Sequence, residues 1–292
     1  MARTRILYFG VPLGAEVLRR AGFDPVASVV APLDMPGRRR LRRRSQGPVL
    51  GDPRVDPSVR RVLASARPDA LLSFFYPRRI SPEVLAMAPR GAFGTHPSLL
   101  PRWRGPDPYY WALRTGDSET GVTLHRLQAS YDTGPIVAQA SVEISATDDG
   151  WSLAKKLDRP ALRLLVEAAE ALAAGDALEG EPQGEATTPW ARRPTDADLA
   201  IDWQQPAEAV LRAIRAAAPE PGATATFGDR WVEVLAASRC DDAPPAGLRP
   251  AEAWRADAGW AVRCGEGALR IRSARDASGA VDLDALFASV RA

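Results

Sequence analysis

Two side chains in the middle of the chain have the types and surroundings suited to proton transfer. His96 is one of two histidines among 292 residues, and it lies between an apolar segment and the rigid loop PSLLP at 97–101. An imidazole titrates near neutral pH, so a histidine at such a loop can act as general acid or base. Asp132, in the sequence YDTG at 131–134, can orient an imidazole and stabilise its protonated form. A structural histidine and a simple turn at Asp132 are the alternatives.

The elements around these residues predict a parallel α/β sheet. Apolar strands at 6–9, 25–30 and 70–75 alternate with helical spacing at 13–21 and 62–66. This alternation is typical of a Rossmann-like sheet, whose ligand sites lie at the carboxyl ends of the strands. Further helices are predicted at 82–88, 108–115 and 152–172, with Pro160 expected to break or kink the last, and further strands at 121–127 and 135–144.

A change in composition divides the chain into two predicted domains. Residues 1–185 are predicted to form the catalytic domain, and residues 186–204 a linker, because the region from 175 to 200 is rich in Gly, Glu, Pro and Thr. Residues 205–292 begin with a short amphipathic helix at 207–217 and are predicted to form a smaller OB-like β-barrel. Its short strands, at 223–227, 231–236, 260–264 and 269–273, are separated by Gly and Pro turns.

Composition excludes several classes of protein. Hydrophobic residues make up 46% and charged residues 25% of the chain, as in soluble globular proteins. The net charge of +2 excludes nucleic-acid binding by the molecule as a whole, and no apolar run approaches the ~18 residues that span a bilayer. We therefore expect a cytoplasmic protein without a membrane partner. Cys240 and Cys264 lack metal-ligand spacing and are predicted to be small buried hydrophobes, so no metal is expected.

Four segments, in order along the chain, resemble the folate-dependent formyltransferase family. The sequence THPSLLPRWRG at 95–105 is similar to the family's signature loop. Residues 7–12 resemble its first strand, residues 120–134 its second catalytic loop, and residues 201–223 the start of its C-terminal domain. The resemblance covers nearly the whole chain. It implies an enzyme that transfers the formyl group of N10-formyltetrahydrofolate to an amine and uses no metal.

The resemblance also implies roles for individual residues. The family carries an Asn–His–Asp trio, and His96 and Asp132 match its proton-shuttling histidine and its aspartate. Gly94 stands at the position of the asparagine, which donates to the developing oxyanion. Loss of one such donor typically costs about 2.7–4 kcal/mol, or roughly 100–1000-fold in rate. A backbone N–H at Gly94 or Thr95, or the Thr95 hydroxyl, is a candidate replacement.

Folate contacts are likewise implied by the resemblance, whereas acceptor contacts are expected only because the residues lie next to the catalytic loop. Asp107 is expected to pair with the ammonium of the acceptor, Tyr109 to stack on a ring, and Arg104 to line the same side. The residues expected to bind folate are Arg78, Arg79, Ile80, Ser98, Leu99, Leu100, Pro101, Gln128, Ala129, Ser130 and Tyr131. His125 alternates with apolar neighbours on a predicted strand and is interpreted as structural.

The acceptor is the open part of the functional prediction. The leading hypothesis is transfer to a primary amine of a small or nucleotide-linked metabolite. The alternatives are a methionyl-tRNA formyltransferase, a formyltetrahydrofolate hydrolase, and a catalytically altered paralogue favoured by Gly94. Arg38 to Arg44 (RRRLRRR) can bind tRNA phosphates or form a solvated loop. The sequence makes no prediction of oligomeric state.

Overall fold

The computed structural model describes residues 4–31, 35–52, 57–185 and 189–288. Its first elements are β1 (Ile6–Gly10), α1 (Pro12–Arg20), β2 (Ala27–Val30), α2 (Arg38–Arg44), β3 (Val49–Leu50), α3 (Pro57–Ser65), β4 (Ala70–Phe74), α4 (Pro82–Leu85), β5 (Ala92–His96), α5 (Pro108–Thr115), β6 (Glu119–Arg126), β7 (Ile136–Glu143) and α6 (Gly150–Ala174). Then follow α7 (Asp196–Leu199), α8 (Ala207–Ala217), β8 (Ala223–Phe227), β9 (Arg230–Arg239), β10 (Ala253–Ala256), β11 (Gly259–Arg263), β12 (Ala268–Asp276), β13 (Gly279–Ala280) and α9 (Leu283–Ala288).

Within the described residues, seven strands form a mostly parallel sheet in the order β3-β2-β1-β4-β5-β6-β7. Strands β1 to β5 pair in parallel, whereas β5 and β6 are antiparallel. Every residue of β1, β2, β4 and β5 is buried, because layers of helix cover both faces of such a sheet. The predicted Rossmann-like fold class is confirmed, and β5 is the strand that carries His96.

Two helices differ from the sequence-based expectation. Helix α6 continues through Pro160, so the expected break does not occur, while the expected kink remains a prediction. A proline removes a single backbone donor, and the apolar face of the helix stays buried on both sides of it. The arginine-rich segment is helix α2, where a solvated loop was one interpretation. It is held by Leu41, which is buried, and by an ion pair from Arg44 to Glu16 of α1, at 3.2 Å.

The chain divides into two compact units. The first contains residues 1–108, 120–143 and 155–191, and the second contains 109–119, 144–154 and 192–292. In the described part of the second unit, β8 to β12 form an antiparallel sheet in the order β10-β11-β12-β9-β8, and β13 pairs with β12. This is the separate β-rich region that the sequence predicted. The domain boundaries at 185 and 205 remain predictions, and residues 186–188 of the predicted linker lie outside the described residues.

The structure bears on the expectations about membrane spans and about the two cysteines. Among the helices that the structure describes, none is long and apolar enough to cross a membrane. The cytoplasmic location remains a prediction. Cys240 and Cys264 are buried and outside any disulfide, which confirms that they are small buried side chains. Burial raises the pKa of the Cys264 thiol to about 11.

Candidate active site

The site is built on one face of the antiparallel pair β5 and β6. His96 is the last residue of β5 and is 6% exposed. In the register of the two strands, His96 lies opposite Thr123 and Gly94 lies opposite His125. Alternate residues of a strand point to the same face, and so do directly opposed residues. These four residues therefore share one face of the sheet.

His96 contacts a carboxylate through one ring nitrogen and a carbonyl through the other. Its Nδ1 lies 3.5 Å from Oδ1 of Asp132. Its Nε2 lies 2.9 Å from the carbonyl oxygen of Trp103. A carbonyl can only accept, so Nε2 keeps its hydrogen in both charge states of the ring. The proton that His96 gains or loses is consequently the one on Nδ1, which faces Asp132.

Asp132 is held in position from several directions. Its backbone has φ of 53°, in the left-handed region that non-glycine residues rarely adopt. Its Oδ2 accepts the Gly105 N–H at 3.0 Å. The Gln183 amide donates to the backbone carbonyls of Asp132 and Gly134, at 2.9 and 2.6 Å. These contacts hold Asp132 in its left-handed conformation and direct Oδ1 towards His96.

Gly134 closes the loop that carries Asp132. A Cβ at this position would lie 1.8 Å from the Arg126 carbonyl oxygen, so no larger residue fits. The Arg126 N–H also donates to the carbonyl of Pro135, at 2.9 Å. The two ends of the loop between β6 and β7 are thus tied together.

Thr123 fixes the other loop of the site, which follows His96. Its hydroxyl accepts the Leu100 N–H at 3.0 Å and donates to the Ser98 carbonyl at 2.7 Å. The Gln139 amide donates to the same hydroxyl and to the Leu100 carbonyl, at 2.8 and 3.0 Å. The Ser98 hydroxyl donates to the Arg102 carbonyl at 2.6 Å. These roles of Thr123, Gln139 and Gln183 could not be predicted from sequence, because each depends on a contact between distant segments.

Gly94 leaves the site without the family's carboxamide, and the strand register bears on the replacements expected from sequence. Gly94 and Thr95 have partner strands on both sides, β4 and β6, so their backbone N–H groups belong to the sheet ladder. Thr95 is opposite Leu124 and points to the face away from His96. By this register the Thr95 side chain does not share the face of His96, and the source of a replacement donor remains a prediction. A Cβ at Gly94 would meet Leu127 Cδ2 at 2.8 Å and Ser73 Cβ at 3.4 Å.

His125 belongs to the site, although the sequence suggested a purely structural side chain. Its Nε2 lies 3.8 Å from Asp132 Oδ1, and its ring centroid lies 6.4 Å from that of His96. Its Nδ1 donates to the Arg126 carbonyl at 3.1 Å. Burial lowers the pKa of His125 to about 4. The ring is therefore neutral at physiological pH, with hydrogen on Nδ1 and a lone pair on Nε2.

The residues expected to bind folate lie in three different settings. Arg78 is exposed and donates to Asp52 Oδ2 at 2.6 Å, and Arg79 is exposed beside it. Ile80 is buried and packs in the apolar core. In the loop after His96, Ser98 and Leu100 are buried, and Leu99 and Pro101 are partly exposed. Residues 128–131, comprising Gln128, Ala129, Ser130 and Tyr131, are exposed and directly precede Asp132.

The residues expected to face the acceptor have separate surroundings in the structure. The Arg104 guanidinium donates to Gln183 Oε1 at 2.7 and 3.0 Å, so it supports the Asp132 loop. The Asp107 N–H donates to the Ala191 carbonyl at 3.0 Å. Tyr109 belongs to the second compact unit. The structure thus places Arg104 among the supports of the site, and acceptor contacts by Asp107 and Tyr109 remain predictions.

The chain matches known proteins over nearly its full length. Residues 39–169 match the Formyl transferase family and residues 194–289 match the Formyl transferase C-terminal domain family. Methionyl-tRNA formyltransferase from Anaeromyxobacter dehalogenans is 36% identical over 300 residues, which cover 96% of each chain. The chain belongs to the folate-dependent formyltransferase family. The predicted family is therefore confirmed, and with it the prediction of an enzyme of the family that uses formyl-tetrahydrofolate.

Solved structures of formyltransferase-like proteins share the fold. HypX from Aquifex aeolicus, in complex with tetrahydrofolic acid, superimposes with a TM-score of 0.67 at 22% identity, covering 94% of this chain and 45% of HypX. An N-formyltransferase from Helicobacter canadensis, in complex with folinic acid and dTDP-3-aminofucose, has a TM-score of 0.69 at 15% identity, covering 91% of this chain and 97% of that protein. At these identities the likeness concerns the fold alone.

Proposed function

We propose that this formyltransferase transfers a formyl group from N10-formyltetrahydrofolate to the amine of methionyl-tRNA. The pairing of His96 Nδ1 with Asp132 Oδ1 at 3.5 Å, on a strand of the formyltransferase sheet, supports the transfer reaction. The relative from Anaeromyxobacter dehalogenans, which aligns along 96% of the chain, supports the tRNA acceptor. The sequence alone favoured a small or nucleotide-linked amine over this acceptor.

His96 is the proposed acid and base of the transfer. Its Nδ1 takes a proton from the attacking amine and returns one to the nitrogen that leaves the formyl carbon. Asp132 stabilises the imidazolium between these two steps, because its Oδ1 faces Nδ1 and its Oδ2 is held by the Gly105 N–H. The Trp103 carbonyl keeps the ring from rotating, since it holds the Nε2 hydrogen.

The described residues fit a bound folate beside this pair. The exposed side chains of Gln128 and Ser130 and the backbone of their loop directly precede Asp132, and they suit the polar edge of a pterin. Arg79 is an exposed cation that suits the carboxylates of the glutamate tail. The bound folate supplies the formyl carbon. Among the residues described, no group of three or more His, Cys, Asp or Glu is arranged to hold a metal ion.

Helix α2 supplies a surface for the tRNA backbone. Arg39, Arg40, Arg42 and Arg43 are exposed, and Leu41 and Arg44 attach the helix to the protein. Four guanidinium groups on one short helix can each contact a phosphate, and every contact steepens the dependence of affinity on salt. The whole chain has a net charge of only +2, so this helix is a local concentration of positive charge.

Formylation of methionyl-tRNA with purified enzyme and N10-formyltetrahydrofolate tests the proposal, with release of tetrahydrofolate and formation of formylmethionyl-tRNA as readouts. The double variant Arg42→Gln/Arg43→Gln should raise KM for the tRNA. It should also reduce the slope of log affinity against log salt concentration by up to about two units. The matched control Arg60→Gln/Arg61→Gln removes two exposed arginines of α3 and should leave both quantities unchanged.

A nucleotide-linked amino sugar is the second candidate acceptor. The Helicobacter canadensis N-formyltransferase, which was solved with dTDP-3-aminofucose, has the same fold over 91% of this chain. Formylation of such a sugar, with methionyl-tRNA left unmodified, would replace the tRNA proposal. Release of formate without any amine would identify a hydrolase. Folate binding without turnover would identify the altered paralogue.

A further inference from the structure

Two ring nitrogens of the site converge on one carboxylate oxygen. Oδ1 of Asp132 lies 3.5 Å from Nδ1 of His96 and 3.8 Å from Nε2 of His125. The two imidazole rings are nearly perpendicular, at 85°. Both rings therefore present one nitrogen each to the same oxygen, from β5 and from β6.

The hydrogen bonds of the two rings leave lone pairs at this point. The other nitrogen of each ring lies beside a backbone carbonyl, Trp103 for His96 and Arg126 for His125, at 2.9 and 3.1 Å. Since a carbonyl only accepts, those nitrogens carry the hydrogens of the neutral rings. The nitrogens that face Asp132 are then acceptors, as is its Oδ1.

Three acceptors without a donor between them repel one another, and a group with three N–H donors removes that repulsion. A primary ammonium is such a group. Resting on the proposed function, we propose that His125 Nε2, His96 Nδ1 and Asp132 Oδ1 form the seat of the acceptor's reacting amine, which binds as an ammonium. The ammonium gives one proton to His96 Nδ1 before its lone pair attacks the formyl carbon, and His96 passes that proton to the leaving nitrogen. The neutral His96 then takes the second proton from the nitrogen of the formylated product and releases it to solvent. In this arrangement His125 is a binding residue.

The composition of the strands makes His125 suitable for this role. Gly94, its partner across the sheet, has no side chain that would compete for the space in front of the ring. In an antiparallel pair, the Cβ atoms of directly opposed residues lie about 4.5–5.5 Å apart. The charged or titratable groups that act on His125 are Asp132 and His96. Burial outweighs the attraction of Asp132 and keeps the ring neutral, so its Nε2 remains an acceptor at physiological pH.

The seat is tested with two variants and two tRNA ligands. His125→Phe removes the acceptor, whereas His125→Gln places an amide oxygen at the ε position. The ligands are methionyl-tRNA and a tRNA esterified with the 2-hydroxy analogue of methionine, which lacks the ammonium. His125→Phe should weaken the affinity for methionyl-tRNA by about 10- to 100-fold, which is the range for loss of a hydrogen bond to a charged group. The hydroxy analogue and N10-formyltetrahydrofolate should bind as before, and His125→Gln should recover most of the loss.

Each outcome decides one question. If the wild-type enzyme does not formylate methionyl-tRNA, the proposed function fails and the seat fails with it. If it does so and His125→Phe keeps the wild-type preference for methionyl-tRNA over the hydroxy analogue, the seat alone is refuted. An equal loss for both ligands would show a structural role and refute it as well. If His125→Phe does not fold, equal affinity of the wild-type enzyme for the two ligands would refute the seat.

Discussion

Replacing Gly94 with asparagine would place a carboxamide on the face of β5 that carries His96. The backbone of Gly94 lies outside the left-handed region, so a side chain here meets no conformational penalty. The new Cβ would meet Leu127 Cδ2 at 2.8 Å and Ser73 Cβ at 3.4 Å. The first contact involves the end of a flexible side chain, which can move aside, and the second is an ordinary van der Waals distance.

The gain in rate and the cost in stability of Gly94→Asn can be estimated separately. A positioned donor to an oxyanion is worth about 100- to 1000-fold in kcat, or roughly 2.7–4 kcal/mol. Crowding of a packed interior costs about 1–3 kcal/mol of folding free energy. We therefore expect Gly94→Asn to raise kcat by about 100-fold or more and to unfold at a temperature several degrees lower. KM for the folate should change little, because the donor acts mainly on the charge that develops during transfer.

Single-turnover release of tetrahydrofolate, with methionyl-tRNA in excess, measures the chemical step. The control is Gly94→Ala, which brings the same Cβ against Leu127 without an amide. A second variant, Gly94→Asn/Leu127→Ala, relieves the crowding and should keep the gain in rate. If Gly94→Asn is folded and no faster than Gly94→Ala, position 94 does not face the developing oxyanion in this protein. The account of Gly94 as a missing donor would then be refuted.

Three further predictions concern charge and burial. Asp132→Asn should lower kcat by about 100- to 10,000-fold, since the imidazolium loses its counter-charge, while folate affinity measured by fluorescence is retained. The Arg19 guanidinium, assisted by Arg20 and Arg44, lowers the pKa of Glu16 to about 2, so its stabilising effect is complete above the ordinary value near 4.5 and is lost as pH falls towards 2. The difference in melting temperature between wild type and Glu16→Gln should therefore shrink over that range. Burial raises the pKa of the Cys264 thiol to about 11, so iodoacetamide at pH 8 should modify it only after unfolding.

Contrary results would have clear meanings. Activity in Asp132→Asn within a few-fold of wild type would remove the carboxylate from the mechanism. A difference between wild type and Glu16→Gln that is unchanged from pH 7 to pH 3 would show that Glu16 does not anchor α2 through its charge. Fast alkylation of Cys264 in the native protein, detected by mass spectrometry of its peptide, would contradict its burial.

Sequence periodicity predicted the elements whose pattern is local. Helices α5 and α8 and strand β8 match their predicted bounds of 108–115, 207–217 and 223–227. Strands β10 and β13, with four and two residues, were missed because segments this short carry no readable alternation. Whether such short segments form strands depends on the strands that pair with them.

The site was predictable only in part, for a related reason. His96 and Asp132 stand in motifs, so the sequence indicates both. His125 resembles any side chain of a half-buried strand, and its proximity to Asp132 depends on the path of the loop after β6. Gln183 lies 51 residues beyond Asp132 in a segment that was predicted to belong to no element. The helical state of α2 depends on Leu41 and on the ion pair to Glu16, which composition does not reveal.

Because the two ends of the loop between β6 and β7 are joined, the loop can be replaced as a unit. The Arg126 N–H and the Pro135 carbonyl join its ends, and Gly134 fits against Arg126 with no room to spare. Insertions or deletions inside it would shift Asp132 relative to His96, so its length is fixed. Its exposed residues 128–131, which include the proposed folate contacts Gln128 and Ser130, can be exchanged without disturbing this closure. Enzymes of new specificity can therefore be sought by grafting loops of equal length from other formyltransferases while the sheet is kept unchanged.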